Sequence, residues 1–178
     1  RGMYPHLPRV GIEPAGKSAG QNHRVGKVAV MATPLTLHEE KFKQLVKRYE
    51  NLATIIPVPC PDLVEYVEKG ILEGPELEGY LKDVLKPCLQ EGVKAVVLGC
   101  THFPLVKAAI GKVVGESVRI YDGGEGTARQ AKCLLAAKNL CTDQEKGHIC
   151  FESSAPEKEA YYEALYRKAA HIDSRVKL

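Results

Sequence analysis

Short apolar runs separated by helical patterns constrain the fold of this chain more than any other feature. Residues 28–31 and 95–98 are continuously apolar and lie between turn-forming segments. An apolar run of this length between turn signals predicts a central strand that is buried on both faces of a sheet. Because such strands alternate with helical patterns along the chain, we predict parallel βαβ units and a layered α/β fold.

The predicted elements alternate over most of the 178 residues. Strands are predicted at residues 25–33, 54–59, 95–98, 118–121 and 148–151, with a short apolar piece at residues 9–12. The first three helices are predicted after Thr36, from Asp62 to Gly70, and from about Pro75, where Pro87 bends or ends the helix. Three more are predicted from Pro104 to Gly115, after residues 122–124, and at residues 156–170. Thr36 and Glu39 predict a capping box, and Asp62 predicts a second helix cap.

The composition argues against several classes of protein. The net charge is +3, from 25 basic and 22 acidic residues that are interspersed along the chain. Together with 6% aromatic residues and no tryptophan, this pattern argues against a nucleic-acid-binding surface. No apolar run approaches the ~20 residues that cross a bilayer, and no signal peptide is apparent. We therefore expect a cytoplasmic protein that contacts neither nucleic acid nor membrane.

The cysteines predict free thiols. None of the six forms a C-x-x-C pair, so the sequence does not support a zinc ribbon, a redox dithiol or a haem attachment site. Without an export signal, reduced thiols are favoured over disulfides. Cys60 lies between two prolines and is interpreted as structural. The six are Cys60, Cys88, Cys100, Cys133, Cys141 and Cys150.

Residues 98–104 place a thiol, a hydroxyl and an imidazole where a buried strand turns into a helix. The three side chains belong to Cys100, Thr101 and His102. A helix N-terminus favours a thiolate over a thiol, and its unpaired N–H groups accept a carboxylate. The alternative interpretation is equally open from these residues alone: Cys100 as a small core residue, Thr101 as an N-cap and His102 as a surface side chain.

Several polar residues are predicted at the same edge of the sheet. Ligands of parallel sheets bind beyond the carboxyl ends of the strands, where Thr33, Cys60, Cys100 and Asp122 are expected. Residues 122–124 are compatible with an anion-binding nest, although a turn that only connects a strand to a helix is favoured. His38 and His148 are interpreted as ordinary surface residues.

Five sequence blocks resemble the cofactor-independent aspartate/glutamate racemase family, and within it the glutamate racemases. They are GIEPA at residues 11–15, VMAT at 30–33, PCP at 59–61 with VEKG at 67–70, LGCTHFP at 98–104, and DGG at 122–124 with GTAR at 126–129. The resemblance runs from about residue 3 to about residue 140. The segment at 98–104 is the most specific of these blocks.

The resemblance implies a two-base racemisation without metal or pyridoxal. In this family two cysteine thiols face opposite sides of the glutamate α-carbon, and Cys100 resembles the second of them. It would deprotonate L-glutamate, with His102 as its supporting acid/base and also in contact with substrate. The resemblance places Glu68 near that histidine, makes Thr101 a substrate-binding residue, and leaves a substrate contact open for Thr33. The product, D-glutamate, would serve peptidoglycan synthesis and hence the cell wall and cell shape.

The chain also departs from the family pattern. The Asp-Ser-Gly turn and the Cys-Asn-Thr segment, which carry the family's first acid/base, do not occur in it. We therefore expect a fragment of a longer enzyme that is inactive alone. Residues 10–120 would form one nearly complete α/β lobe with the second catalytic cysteine, and residues 121–178 a partial remainder of the other lobe plus a C-terminal helix. Residues 1–9 would be a linker from the missing segment.

Other functions remain open at this level. An aspartate or hydantoin racemase of the same superfamily would use the same thiol chemistry. A racemase-like module that binds an amino acid or a partner without catalysis would retain the same fold. Homodimer formation is compatible with either function. A substrate panel separates the racemases, and an upstream Cys-Asn-Thr segment in the native gene product would distinguish an enzyme from the module.

Overall fold

Four parallel strands form the centre of the part of the chain that the structure describes. A computed structural model describes Val10 and residues 26–143 and 147–175. The strands are β1 (Lys27–Ala32), β2 (Thr54–Pro59), β3 (Ala95–Leu98) and β4 (Arg119–Tyr121). They are hydrogen-bonded in the order β2-β1-β3-β4, and each neighbouring pair runs parallel. The predicted layered α/β fold is confirmed.

Helices connect the strands and follow the last of them. They are α1 (Pro34–His38), α2 (Glu40–Tyr49), α3 (Leu63–Glu68), α4 (Pro75–Gln90), α5 (Lys107–Val114), α6 (Gly124–Ala137) and α7 (Glu159–Arg175). Two 3-10 turns, Phe103–Val106 and Pro156–Lys158, precede α5 and α7. Among the described residues, no helix combines the length and apolar character that a bilayer span requires.

Both faces of the sheet are covered, because side chains alternate along each strand. Ala29 and Met31 point into a large core that contains the apolar sides of α3, α4, α5 and α7. Val28 and Val30 point to the opposite face, where they form a smaller cluster packed against Phe42 of α2. The continuously apolar strands therefore have the burial that the sequence predicts.

Helix α7 packs into the large core. Leu165, Ala169 and Ile172 are buried, and their spacing puts them on one side of a helix. The sequence predicts a helix here, but its mostly polar composition does not predict this packing.

The predicted helix caps are wrong in detail. Thr33 rather than Thr36 caps α1, because its Oγ1 accepts a hydrogen bond from the Thr36 N–H at 3.3 Å. Pro34 occupies the first helical position, where its fixed φ starts the helix three residues earlier than predicted. Asp62 has a helical backbone conformation and forms no side-chain cap. Pro87 does not end α4, which continues to Gln90.

One further expectation fails towards the C-terminus. The predicted strand at residues 148–151 does not form, and Ile149 is 63% exposed with no strand beside it. The helix after residues 122–124 forms as predicted, but α6 has no fully buried residue, and its apolar side is only partly covered by the described chain, at Ala131 and Leu134. Apart from Val10, the predicted apolar piece at residues 9–12 and the family block at residues 11–15 lie outside the described residues.

Candidate active site

Gly99 fixes the position of Cys100. Its N–H donates to the Met31 carbonyl oxygen at 2.8 Å, which continues the pairing of β3 with β1 beyond the last residue of the strand. A Cβ at Gly99 would lie 2.9 Å from that oxygen and 3.3 Å from the Ala32 Cβ. Only glycine therefore lets the backbone pass this close to β1, and Cys100 emerges half-buried at the carboxyl edge of the sheet.

A tight turn carries His102 back towards Cys100. The Phe103 N–H donates to the Cys100 carbonyl oxygen at 3.3 Å, and Phe103 and Val106 are fully buried. These two anchors hold the turn against the core. His102 Nδ1 lies 3.8 Å from the Cys100 Sγ, within the range of a hydrogen bond to sulfur.

The helix start differs from the prediction. The sequence predicts a helix from Pro104, but a 3-10 turn comes first and α5 begins at Lys107. Thr101 is not an N-cap: it is exposed, and its hydroxyl has no hydrogen-bond partner within the part of the chain that the structure describes. This hydroxyl is therefore open to solvent, next to Cys100.

Glu68, the last residue of α3, completes a chain of three side chains. Its Oε1 lies 2.9 Å from His102 Nε2. A carboxylate accepts hydrogen bonds, so this contact favours the histidine tautomer that carries its proton on Nε2. The lone pair of Nδ1 then faces the Cys100 thiol, where it can accept the proton that the thiol gives up. The structure thus brings together the three residues that the sequence predicts as catalytic.

Thr33 lies at the same edge of the sheet, but its hydroxyl is hydrogen-bonded within the protein. Its hydroxyl caps α1 and is also 3.0 Å from the Thr36 hydroxyl. Its contact with substrate stays a prediction.

Cys60, at the end of β2, is unsuited to acid/base work. It is fully buried, and its Sγ lies 3.4 Å from the Val58 carbonyl oxygen. Burial raises the pKa of this thiol from 9.0 to about 12, because a thiolate would lose its hydration. Cys60 therefore remains protonated near neutral pH and acts as a packing residue.

Asp122 occupies the turn that the sequence offers as an anion-binding nest. Its Oδ1 accepts from the Gly124 N–H at 2.9 Å, and its Oδ2 is 3.0 Å from Lys107 Nζ. Burial would raise the pKa of Asp122, but the Lys107 ammonium and the Gly124 N–H outweigh it and hold the pKa below its ordinary value of 3.8. Because the protein's own carboxylate fills this position, the turn serves as a connection between β4 and α6.

Two side chains of α7 contact the end of α3 and the turn after it. The sequence does not predict these contacts. The Tyr161 hydroxyl donates to the Glu68 carbonyl oxygen at 2.5 Å, and Lys168 Nζ donates to the Gly70 carbonyl oxygen at 2.7 Å. These contacts join residues more than 90 positions apart, and neither side chain belongs to a recognisable motif. Within the described residues, no cluster of three or more His, Cys, Asp or Glu side chains is arranged to hold a metal ion.

Similarity to known proteins covers the segment that contains this site. Residues 3–131 match the family model described as Asp/Glu/Hydantoin racemase. The chain is also 43% identical to a glutamate racemase of Clostridium perfringens over 159 residues, which make up 89% of this chain and 61% of that relative.

Solved structures show the same similarity. A glutamate racemase of Escherichia coli, in complex with L-glutamate and the activator UDP-MurNAc-Ala, has a TM-score of 0.72 and 30% identity, covering 91% of this chain and 62% of that chain. A glutamate racemase of Francisella tularensis in complex with D-glutamate has a TM-score of 0.61 and 28% identity, covering 74% and 48% respectively. The chain thus spans less than two thirds of the length of these relatives.

Proposed function

The chain belongs to the Asp/Glu/hydantoin racemase family, and on that premise we propose that it supplies one acid/base side of a glutamate racemase active site. The observation that carries the proposal is the sequence of contacts from Cys100 Sγ to His102 Nδ1, 3.8 Å, and from His102 Nε2 to Glu68 Oε1, 2.9 Å. In such an arrangement the thiol is the nucleophile or base, and the imidazole accepts its proton. The carboxylate orients the imidazole.

The proposed reaction begins with proton transfer from the Cys100 thiol to His102 Nδ1. This step leaves a thiolate and an imidazolium, and Glu68 stabilises the imidazolium through the hydrogen bond at Nε2. The thiolate then removes the α-proton of L-glutamate, and the electron pair of the broken C–H bond spreads into the substrate carboxylate. A second acid must return a proton to the opposite face. Cys60 is unsuited to this step because its thiol is fully buried and does not reach the edge where substrate would bind.

Thr101 is the proposed contact for the substrate carboxylate. Thr101 is the neighbour of the proposed base in the sequence. Its hydroxyl is exposed and has no hydrogen-bond partner in the described part of the chain. The reaction as written moves only protons between side chains and the α-carbon, so it draws on no cofactor.

Glutamate is the proposed substrate because the similar proteins are glutamate racemases. The Clostridium perfringens relative is a glutamate racemase, and the similar Escherichia coli and Francisella tularensis structures contain L-glutamate and D-glutamate. We further propose that the D-glutamate enters peptidoglycan synthesis in the cytoplasm, as the resemblance to the family implies. Aspartate and hydantoins belong in the same test because the matched family model includes racemases that act on them.

A chimera tests the proposal. The part of the Clostridium perfringens relative that the match does not cover is joined to this chain in the relative's order, and D-glutamate formation from L-glutamate is followed. We expect racemisation by the chimera and a loss of at least ~100-fold in kcat in Cys100→Ser, since positioned acid/base groups contribute about 10²–10⁴-fold. Cys150→Ser, which replaces an exposed thiol outside the site, is the matched control and should retain full activity.

Each outcome has a defined meaning. Full activity in Cys100→Ser would refute the role of Cys100. Turnover of aspartate or a hydantoin with no turnover of glutamate would refute the proposed substrate but retain the chemistry. An inactive chimera that still binds glutamate would favour the non-catalytic module.

A further inference from the structure

Helix α7 contacts the C-terminal end of α3 at Glu68, the residue whose carboxylate orients His102. At this end the carbonyl oxygens of Glu65, Tyr66 and Val67 accept backbone N–H groups of the following turn. The Glu68 carbonyl oxygen instead accepts from the Tyr161 hydroxyl at 2.5 Å. The last turn of α3 is therefore completed by a side chain from a distant helix.

The position of the Tyr161 hydroxyl is itself fixed. Leu165, one helical turn further along α7, is buried in the core together with Ala169. The hydroxyl also lies close to Gly70, where a Cβ would be 3.5 Å from it, and Gly70 has a φ of +71°. Lys168 adds a second bond from α7, to the Gly70 carbonyl oxygen at 2.7 Å. The anchored helix thus holds both the last residue of α3 and the turn after it.

Helix α3 needs such support because it is short. It has six residues, and a helix of that length is not stable by itself in water. Its side chains at Leu63 and Val67 are buried, but Glu68 points towards His102 from the final position, where helices fray. The orientation of the Glu68 carboxylate consequently depends on what holds the backbone of that residue.

We propose that Tyr161 is a positioning residue for the His102–Glu68 pair. By holding the Glu68 carbonyl oxygen, its hydroxyl keeps the Glu68 carboxylate 2.9 Å from His102 Nε2. That hydrogen bond keeps the proton on Nε2 and the lone pair of Nδ1 directed at Cys100. The effect on the histidine tautomer follows from the contacts alone, whereas the effect on turnover rests on the proposed function.

The first test measures the tautomer of His102 in the 178-residue chain. Nitrogen-15 NMR of histidine-labelled protein distinguishes the Nε2–H from the Nδ1–H form of a neutral imidazole ring. In Tyr161→Phe, which removes only the hydroxyl, we expect the Nδ1–H population to rise by about 2- to 10-fold, the range that corresponds to the loss of one hydrogen bond. Tyr162→Phe is the matched control, because Tyr162 contacts the Tyr161 ring but its hydroxyl is not part of this contact. An unchanged tautomer in Tyr161→Phe would overturn the proposal.

A double-mutant cycle separates positioning from a general loss of structure. Glu68→Ala removes the carboxylate but retains the carbonyl oxygen that Tyr161 holds. If Tyr161 acts through the carboxylate, Tyr161→Phe has no further effect on the tautomer in the Glu68→Ala background. An equal effect in both backgrounds would show that Tyr161 acts on His102 by another route and would refute the proposal.

Turnover provides a third readout. In the chimera described above, Tyr161→Phe should lower kcat by about 2- to 10-fold and leave KM unchanged, since the hydroxyl does not touch the substrate. A rise in KM at unchanged kcat would contradict a positioning role. Failure of the unmodified chimera to racemise glutamate would refute the proposed function and leave the tautomer experiment as the test of Tyr161.

Discussion

At the scale of single residues, Gly99 decides where the proposed base stands. A side chain at this position would meet the Met31 carbonyl oxygen, which is part of the sheet and has little room to move. The sequence shows the glycine next to Cys100, but not the strand that passes it. The reason for the glycine is a close approach between β1 and the end of β3, and such an approach can be read only from the pairing of the strands.

Gly99→Ala should therefore destabilise the fold and displace Cys100. The new Cβ would lie 2.9 Å from the Met31 oxygen, and relief of such a contact typically costs about 1–3 kcal/mol. Urea unfolding measures the loss. Gly126→Ala on α6, where a Cβ meets nothing within 4 Å, is the control and should be neutral or slightly stabilising. Equal stability of the two variants would contradict the role of Gly99 as a spacer.

The three catalytic candidates differ in how far the sequence predicts them. Cys100 and His102 lie two positions apart at a predicted strand end, so the local pattern places them together but leaves a core cysteine and a surface histidine equally open. Glu68 is 34 positions away from His102, and only the resemblance to the family connects it to the site. The structure adds the hydrogen bond, because α3 and the turn after β3 meet at the same edge of the sheet.

At the scale of elements, the bounds of the half-exposed edge strand β2 are predicted as well as those of the buried strand β3. The strands at residues 54–59 and 95–98 have the bounds that the sequence predicts. The strand predicted at residues 148–151 fails because its short apolar pattern finds no neighbouring strand to pair with. Helix starts are less predictable, since competing caps such as Thr33 and Thr36 differ by only a few contacts.

An ion pair between elements gives a prediction with a defined pH dependence. Lys107 at the start of α5 contacts Asp122 before α6, and this contact lowers the pKa of Asp122 below 3.8. A lowered pKa in the folded state means that the carboxylate stabilises the fold above pH 3.8 and that this contribution is lost as the pH falls through the folded-state value.

We accordingly expect Asp122→Asn to lower the free energy of unfolding by about 1–2 kcal/mol at pH 7. The difference from the unmodified protein should shrink as the pH falls from 3.8 through the lower folded-state pKa of Asp122, below which both proteins lack the charge at this position. Denaturant unfolding at several pH values measures it. Glu125→Gln, which removes an exposed pairing with Arg129, serves as the control and should cost little at any pH. A pH-independent difference would argue against the ionic contribution.

At the scale of the whole molecule, the position of α7 is the main feature that the sequence does not predict. A helix is predicted at residues 156–170 and forms at Glu159–Arg175. Its hydrogen-bond partners lie more than 90 residues earlier, at the end of α3 and in the turn after it, and long-range contacts of this kind leave no periodic signal beyond the helix itself. The division into lobes at residues 10–120 and 121–178 stays a prediction, and the packing of α7 against the first of these segments offers a way to test its cooperativity.

Leu165→Ala tests whether α7 unfolds together with the sheet. Leu165 is 8% exposed and lies in the same core as β3 and α4, so truncation should cost about 2–5 kcal/mol. If the described chain is one cooperative unit, hydrogen exchange of the amides in β3 should accelerate to the same extent as that of the amides in α7, because both open only in global unfolding. Leu140→Ala, at a side chain that is 56% exposed, provides the control and should change stability by less than about 0.5 kcal/mol. Acceleration confined to α7 would instead show that this helix opens separately, and the support it gives to Glu68 would then be lost without unfolding of the sheet.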